Sequence, residues 1–381
     1  MSLDQRLDLI RRNTAELLGA DRLRAYLEKG LPIKHYIGFE ISGEIHLGSG
    51  LVCMSKLVDF QKAGLQTTVF LADWHSWIND KLGGDADLIR RIARGYFAEG
   101  MKACIAALGG DPTQVEFVLG SDLYAQHPTY WDTVIEVSKN TSLARILRSI
   151  TVLGREEGEA VDFAKLIYPP MQAADIFAMG ITLAHAGEDQ RKAQVIALDC
   201  AEQMQRNGIK GPDGKLLKPI AVHHPLLMGL TLPPGVTITK DMSQEDIKAI
   251  MVKAKMSKSV AGSAIYITDE PKLIQKKINK AYCPPDDVLW NPVLNWARVL
   301  HFQLNRGALN IDRPAQYGGP VSFATYADLE TAYQSGSLFA GDLKAGVAQS
   351  LIELLKPVRE HFAAPDRAAM LAEMQKVKLT R

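Results

Sequence analysis

Tyr168, Gln172, Asp175 and Met179 fall at i, i+4, i+7 and i+11 within IYPPMQAADIFAMG. At 3.6 residues per turn they share one helix face. A phenol, an amide and a carboxylate embedded among apolar residues each need a hydrogen-bond partner if buried. A small polar ligand would be such a partner; a partly exposed face bonded within itself is the other reading. Pro169 and Pro170 fit the first turn of that helix, where no amide donor is required. A second group is the loop Lys255-Met256-Ser257-Lys258-Ser259. Its two lysines and two hydroxyls suit a mobile clamp on a polyphosphate, although a bare lysine-serine loop is usually just solvated surface. The turn His46-Leu47-Gly48-Ser49-Gly50 stands where a helix begins. Its glycines admit close backbone approach, a helix N-terminus favours anionic oxygens, and His46 either donates to a ligand or caps the turn. Asp189-Gln190 follows the apolar run ITLAHAG. There a carboxylate can accept ribose hydroxyls and an amide can bond a polar ligand, or the pair simply opens a helix. His223 and His224 have no carboxylate or cysteine at ligand spacing and are expected to be structural.

The elements around these groups alternate. IKHYIGF (33–39), TTVFLAD (67–73) and VEFVL (115–119) have the composition of buried strands, and helical spacing covers 51–63, 87–108 and 131–150. Strands alternating with helices over some 230 residues predict a doubly wound parallel sheet, which binds ligands at its strand ends. The stretch 208–265 is richer in Gly and Pro and is expected to hold long loops. Beyond it the pattern turns mostly helical, with a boundary placed at 268/269: residues 1–268 form one domain, including the lysine-serine loop, and 269–381 a helical second one.

With 381 residues the chain is long enough for two or three domains with ample core. No apolar run approaches the roughly 18–20 residues of a membrane helix. The start, MSLDQRLDLIRRNTAELL, reads as an amphipathic helix and not as a secretory signal. Cys53, Cys104, Cys200 and Cys283 are dispersed without a CxxC pair, so reduced thiols and a cytoplasmic location are expected. Net charge is only +1, so a nucleic-acid partner would have to be met by local patches, such as Arg145, Arg148 and Arg155, or Lys276, Lys277 and Lys280.

Taken in order, these pieces resemble the class I aminoacyl-tRNA synthetases. HLGS (46–49) is similar to the HIGH motif and KMSKS (255–259) matches the second class motif. YIGFE (36–40), LADWH (71–75), IYPPMQAADIF (167–177), DQRK (189–192) and KAYCPP (280–285) resemble the archaeal and eukaryotic tyrosyl branch, and RPAQYGGPV and DLKAGVAQSLIELLKPVR its anticodon-binding region. The resemblance implies a Rossmann-like doubly wound catalytic domain with a mostly helical C-terminal anticodon-binding domain. It implies that the enzyme activates tyrosine with ATP, accompanied by Mg2+ but with no dedicated protein cage, and esterifies it to tRNA(Tyr) as a homodimer. By the same resemblance Tyr36 and Asp175 hold the phenol, and Tyr168, Gln172 and Gln190 the ammonium end. His46, Lys255 and Lys258 stabilise the α-phosphate. Gly38, Gly48, Asp189 and Ser257 belong to the ATP site, and Asp342 to the tRNA site. The chain departs from the pattern at Ser49, Phe70, Ala186 and Gln194, and in the FAGD stretch that ends in Asp342. Those departures keep alternatives open: a paralogue for tryptophan or a modified tyrosine, a non-catalytic RNA-binding relative, or a nucleotidyltransferase on the same core.

Overall fold

The computed structural model describes residues 1–154, 160–231, 242–243, 250, 256, 262–285 and 287–377. Six strands form one sheet: β1 (Glu16–Leu18), β2 (Lys34–Phe39), β3 (Gln66–Leu71), β4 (Val115–Leu119), β5 (Leu183–Gly187) and β6 (Ile220–His224). Their order is β1-β6-β5-β2-β3-β4, parallel throughout except for the edge strand β1. The chain winds outward from β2 to β3 and β4, then returns to the other side of β2 with β5 and β6. The crevice beyond the C-terminal ends of β2 and β5 is therefore the switch point at which such sheets bind ligands.

Three expectations are corrected here. The N-terminal helix, α1, covers only Leu3–Arg11, closed at its start by a Ser2–Gln5 capping box. Asn13 then takes φ 57°, a left-handed turn that Asn tolerates, and Glu16–Leu18 pairs antiparallel with β6. The helical stretch 131–150 is broken into Tyr130–Lys139 and Leu143–Ser149, because Ser142 accepts from the Arg145 amide and caps a new helix. Pro169 and Pro170 do not open their helix. It begins at Phe163, with Asp162 as N-cap, and runs through both prolines to Ala178. Almost its whole length from Tyr168 to Phe177 is buried, and this packing offsets the two amide bonds that the prolines forgo. The loop-rich stretch also contains one strand, β6, whose residues are buried without exception.

From Pro271 the chain is mostly helical, with Pro271–Asn279, Tyr326–Gln334, Ala340–Leu354 and Pro365–Lys376 as the main helices. A small antiparallel pair, β7 (Leu309–Ile311) with β8 (Val321–Phe323), stands among them. One apolar cluster runs from Leu51 and Ile105 through Ile265, Ile267 and Ile274 to Leu351 and Phe362. The helical region is thus packed onto the sheet region through a continuous core.

Candidate active site

A cavity of about 260 Å³ opens at the switch point. Nine of the residues singled out in the sequence line it: Tyr36, Gly38, His46, Gly48, Tyr168, Gln172, Asp175, Asp189 and Gln190. They come from β2, the turn after it, the Phe163–Ala178 helix and the turn after β5. Met179, the last member of the helical stripe, does not join them. It lies past the helix end and lines a groove with Lys34, Gln66 and Ile181.

One end of the cavity is built around Asp175, which is 1% exposed. Its Oδ1 accepts from Tyr130 at 2.8 Å and from Tyr124 at 3.2 Å. Burial raises its carboxyl to about pKa 8, against the two phenol bonds that lower it. Tyr36 is buried beside it, and the same desolvation, with the Asp175 charge, raises its phenol. Phe70 meets Tyr36 edge-on at 6.2 Å, and His75 meets Tyr168 edge-on at 4.5 Å. This end is a snug, aromatic-walled slot with a carboxylate and a phenol inside it.

Along the same helix, seven residues earlier, lies Tyr168, roughly 10 Å away at 1.5 Å per residue. Beside it Gln172 donates to Gln190 Oε1 at 3.5 Å, and Gln190 donates to the Val152 carbonyl at 3.0 Å. Gln172 Oε1 is buried and has no hydrogen-bond partner. A buried acceptor without a donor is an open position for an ammonium group.

The nucleotide-like end is made mostly of backbone. His46 Nδ1 accepts from the amides of Gly48 and Ser49 at 3.1 and 3.3 Å. Those bonds assign the proton to Nε2, so His46 caps the turn and keeps a donor as well. Ser49 Oγ lies 3.2 Å from Nε2. A Cβ on Gly48 would meet the His46 ring at 2.9 Å, so a side chain there would push the ring off its place over the turn. Across the cavity, a Cβ on Gly187 would stand 2.6 Å from Asp189 Oδ1 and 3.0 Å from Leu226. Of the lysine-serine loop, Met256 is buried, lines the cavity and donates its amide to Leu227 O at 2.8 Å. Lys255, Ser257 and Lys258 lie outside the described residues. Asp342 is elsewhere, in the first turn of Ala340–Leu354, with Arg313 Nη1 4.0 Å away.

Several residues at or next to the cavity carried no signal in their spacing. Tyr124 and Tyr130 arrive from helices after β4 and donate to Asp175 without lining the cavity. His75 and Cys53 follow strand and turn motifs, but nothing in their spacing marked them. His224, expected to be structural, lines the cavity and ends a buried chain: His35 Nε2 to His185 Nδ1 at 3.2 Å, His185 Nε2 to His224 Nδ1 at 2.8 Å, and His224 Nε2 to Cys53 Sγ at 3.4 Å. Burial lowers all three imidazoles, His35 to about 3 and His224 to about 4, so the chain is neutral. His223 does take the expected structural part, meeting Glu16 of the edge strand at 2.8 Å.

A family model for class I tRNA synthetases (W and Y) matches residues 28–356. The chain belongs to that family. A Tyrosine--tRNA ligase of Thermococcus sibiricus is 51% identical over 382 residues, with both chains covered in full. The crystal structure of the tyrosyl-tRNA synthetase of Pyrococcus horikoshii, complexed with L-tyrosine, matches with a TM-score of 0.94 at 48% identity. That match covers 99% of this chain and 100% of the other. A tryptophanyl-tRNA synthetase of Aeropyrum pernix matches at TM-score 0.65 and 18% identity, which extends to the fold alone.

The departures of this synthetase now have places. Ser49 sits against the His46 ring. Phe70 is a fully buried wall of the aromatic slot. Ala186 lines the cavity, and it is the second position, Gly187, where a Cβ would crowd Asp189 and Leu226. Gln194 is buried outside the cavity, with its Oε1 unpartnered; nothing in the structure explains it.

Proposed function

We propose that this synthetase is a tyrosine–tRNA ligase. The observation that carries the reading is Asp175: a buried carboxylate beside Tyr36 in an aromatic slot, with acceptors for an ammonium group about two helical turns away. Tyrosine fits that pattern along its whole length. Its phenol meets Asp175 and Tyr36, and its ammonium group meets Tyr168, Gln172 and Gln190. The full-length likeness to archaeal tyrosine ligases supports the same substrate.

No protein nucleophile is required. The tyrosine carboxylate attacks the α-phosphorus of ATP, the bond to the β-phosphate oxygen breaks, and pyrophosphate leaves. The 2′- or 3′-hydroxyl of the terminal adenosine of tRNA(Tyr) then attacks the mixed anhydride, and AMP leaves. Catalysis is positioning plus stabilisation of phosphate charge. His46, through Nε2–H, and Lys255 and Lys258 are read as the stabilising donors. Gly38, Gly48 and Ser257 are read as part of the ATP site, with Asp189 on the ribose. Mg2+ is read as arriving on the phosphates, with water completing its shell. The donor set accords with that reading, because His46 brings an imidazole to this end of the cavity while its Nδ1 holds the Gly48 and Ser49 amides.

Residues 269–381 are read as the anticodon-binding domain, with Asp342 on the tRNA. A homodimer is supported by exposed apolar side chains, Trp131 and Ile135 on one helix and Leu143 and Leu147 on the next. A cytoplasmic location accords with the dispersed, unpaired thiols. Among the described residues no helix is long and apolar enough to cross a membrane. The deciding experiment is ATP–pyrophosphate exchange across the twenty amino acids. Exchange with tyrosine alone is expected; exchange with tryptophan, or with none, overturns the proposal.

A further inference from the structure

The aromatic slot contains one buried group that the reading above leaves idle. His75 is 2% exposed and lines the cavity, yet neither of its ring nitrogens has a hydrogen-bond partner. Its Nε2 stands 3.6 Å from Asp175 Oδ2, beyond the 2.7–3.2 Å of a formed N–H···O bond. Oδ2 is also the oxygen that neither Tyr124 nor Tyr130 reaches. A buried imidazole and a buried carboxylate thus face one another with the last few tenths of an ångström not closed.

We infer that His75 is a positioning residue for tyrosine selection: its Nε2–H closes onto Asp175 Oδ2 when tyrosine fills the slot. That bond holds Asp175 as the carboxylate that accepts the phenol O–H. The inference rests on the reading that Asp175 receives the phenol.

The tautomer follows from the facing groups. A neutral imidazole has one N–H, and a lone pair on Nε2 would oppose the lone pairs of Oδ2, so the proton belongs on Nε2. Burial pushes the ring down to about pKa 3, so it acts as a neutral donor and brings no charge. Asp175 needs a donor there. Desolvation holds it up to about 8, and Asp73 adds to the rise. Facing it are Tyr36 from β2, Tyr124 and Tyr130 from the two helices after β4, and His75 and Asp73 from Asp73–Ile78; Asp73 itself is paired with Arg90 at 3.4 Å. No cation faces the carboxylate among these groups. Hydrogen bonds to the charged form are the means left of keeping it ionised.

Two variants separate positioning from packing. His75→Leu removes the donor and keeps an apolar wall; His75→Gln returns an amide N–H near the place of Nε2. Exchange kinetics with tyrosine and phenylalanine would be measured from pH 6 to 9. In His75→Leu the acid limb of kcat/KM for tyrosine is expected about one pH unit higher. The tyrosine-over-phenylalanine ratio at pH 7 should fall about tenfold, the equivalent of that unit. His75→Gln should restore most of both. An unmoved acid limb in His75→Leu, or a His75→Gln variant no better than the Leu one, overturns the inference. If neither variant folds, nitrogen-15 NMR of the wild-type tyrosine complex decides: an Nε2–H neutral ring supports it, and an imidazolium or Nδ1–H ring overturns it. Asp175→Asn keeps the two levels apart. If that variant retains tyrosine selectivity, the phenol reading itself falls. If it loses selectivity while His75→Leu does not, only the part given to His75 falls.

Discussion

The two ends of the cavity are made of different material. At the phenol end the walls are mostly side chains: Asp175, Tyr36, Phe70 and His75 line the cavity, and Asp175 already accepts from Tyr124 and Tyr130, which do not line it. At the nucleotide end the walls are a glycine turn, backbone amides capped by His46, and a carboxylate that a Cβ on Gly187 would crowd. The first end is suited to recognising one shape through groups that are unpaired by the wrong ligand. The second is suited to charge that develops during reaction, since backbone dipoles and the His46 imidazole can act on any phosphate. Selectivity and rate are therefore expected to separate along the cavity.

The largest expected effect breaks the phenol end. Asp175→Ala should remove most of the preference for tyrosine over phenylalanine. Sites built to bond a hydroxyl reject its absence by roughly 10⁴–10⁵, a range set by tyrosine-activating synthetases themselves. The measurement is kcat/KM for exchange with each amino acid; an unchanged ratio would contradict the division. Next, replacing Lys255 and Lys258 together by alanine should slow adenylate formation on the order of 10²-fold or more. The KM for tyrosine should stay near wild type if those lysines act, as proposed, on the nucleotide end. Single-turnover kinetics with unaltered adenylate formation would remove them from the mechanism.

Gly187→Ala sharpens the comparison. Its Cβ would displace Asp189 or Leu226, so the KM for ATP should rise about tenfold, as for one lost hydrogen bond of about 1.4 kcal/mol. The tyrosine-to-phenylalanine ratio should not move; a fall in that ratio would show the two ends to be coupled. The smallest effect belongs outside the cavity. Asp342→Ala should lower aminoacylation several-fold, in line with losing one polar contact of about 1 kcal/mol, and leave pyrophosphate exchange intact. A parallel loss in both reactions would place Asp342 in the folding or activation machinery instead.

Much of the catalytic region was legible from local pattern. Short apolar runs bounded by turn residues located β2, β3 and β4, and period 3.6 put Tyr168, Gln172 and Asp175 on one face, because both signals are repeated within a few residues. The stripe failed at Met179, where the helix had already ended. It failed also at Pro169 and Pro170, since propensity assigns prolines to a first turn whereas burial of the whole segment carried the helix through them. Glu16–Leu18 was hidden for a related reason: three residues have too little periodicity to announce a strand, and only pairing with β6 makes them one.

What the residues alone determined was a set of candidate site groups. The types and spacings of His46, Gly48, Asp175 and Asp189 are written locally, because each stands on a turn or a helix face. Which groups surround them was decided by the winding of the sheet. Tyr124 and Tyr130 reach Asp175 from more than forty positions away, His75 meets it across two elements, and His35, His185 and His224 align because β2, β5 and β6 are neighbours in the sheet. Side-chain contacts between elements depend on strand order and register, and neither leaves a trace in the spacing of residues along the chain.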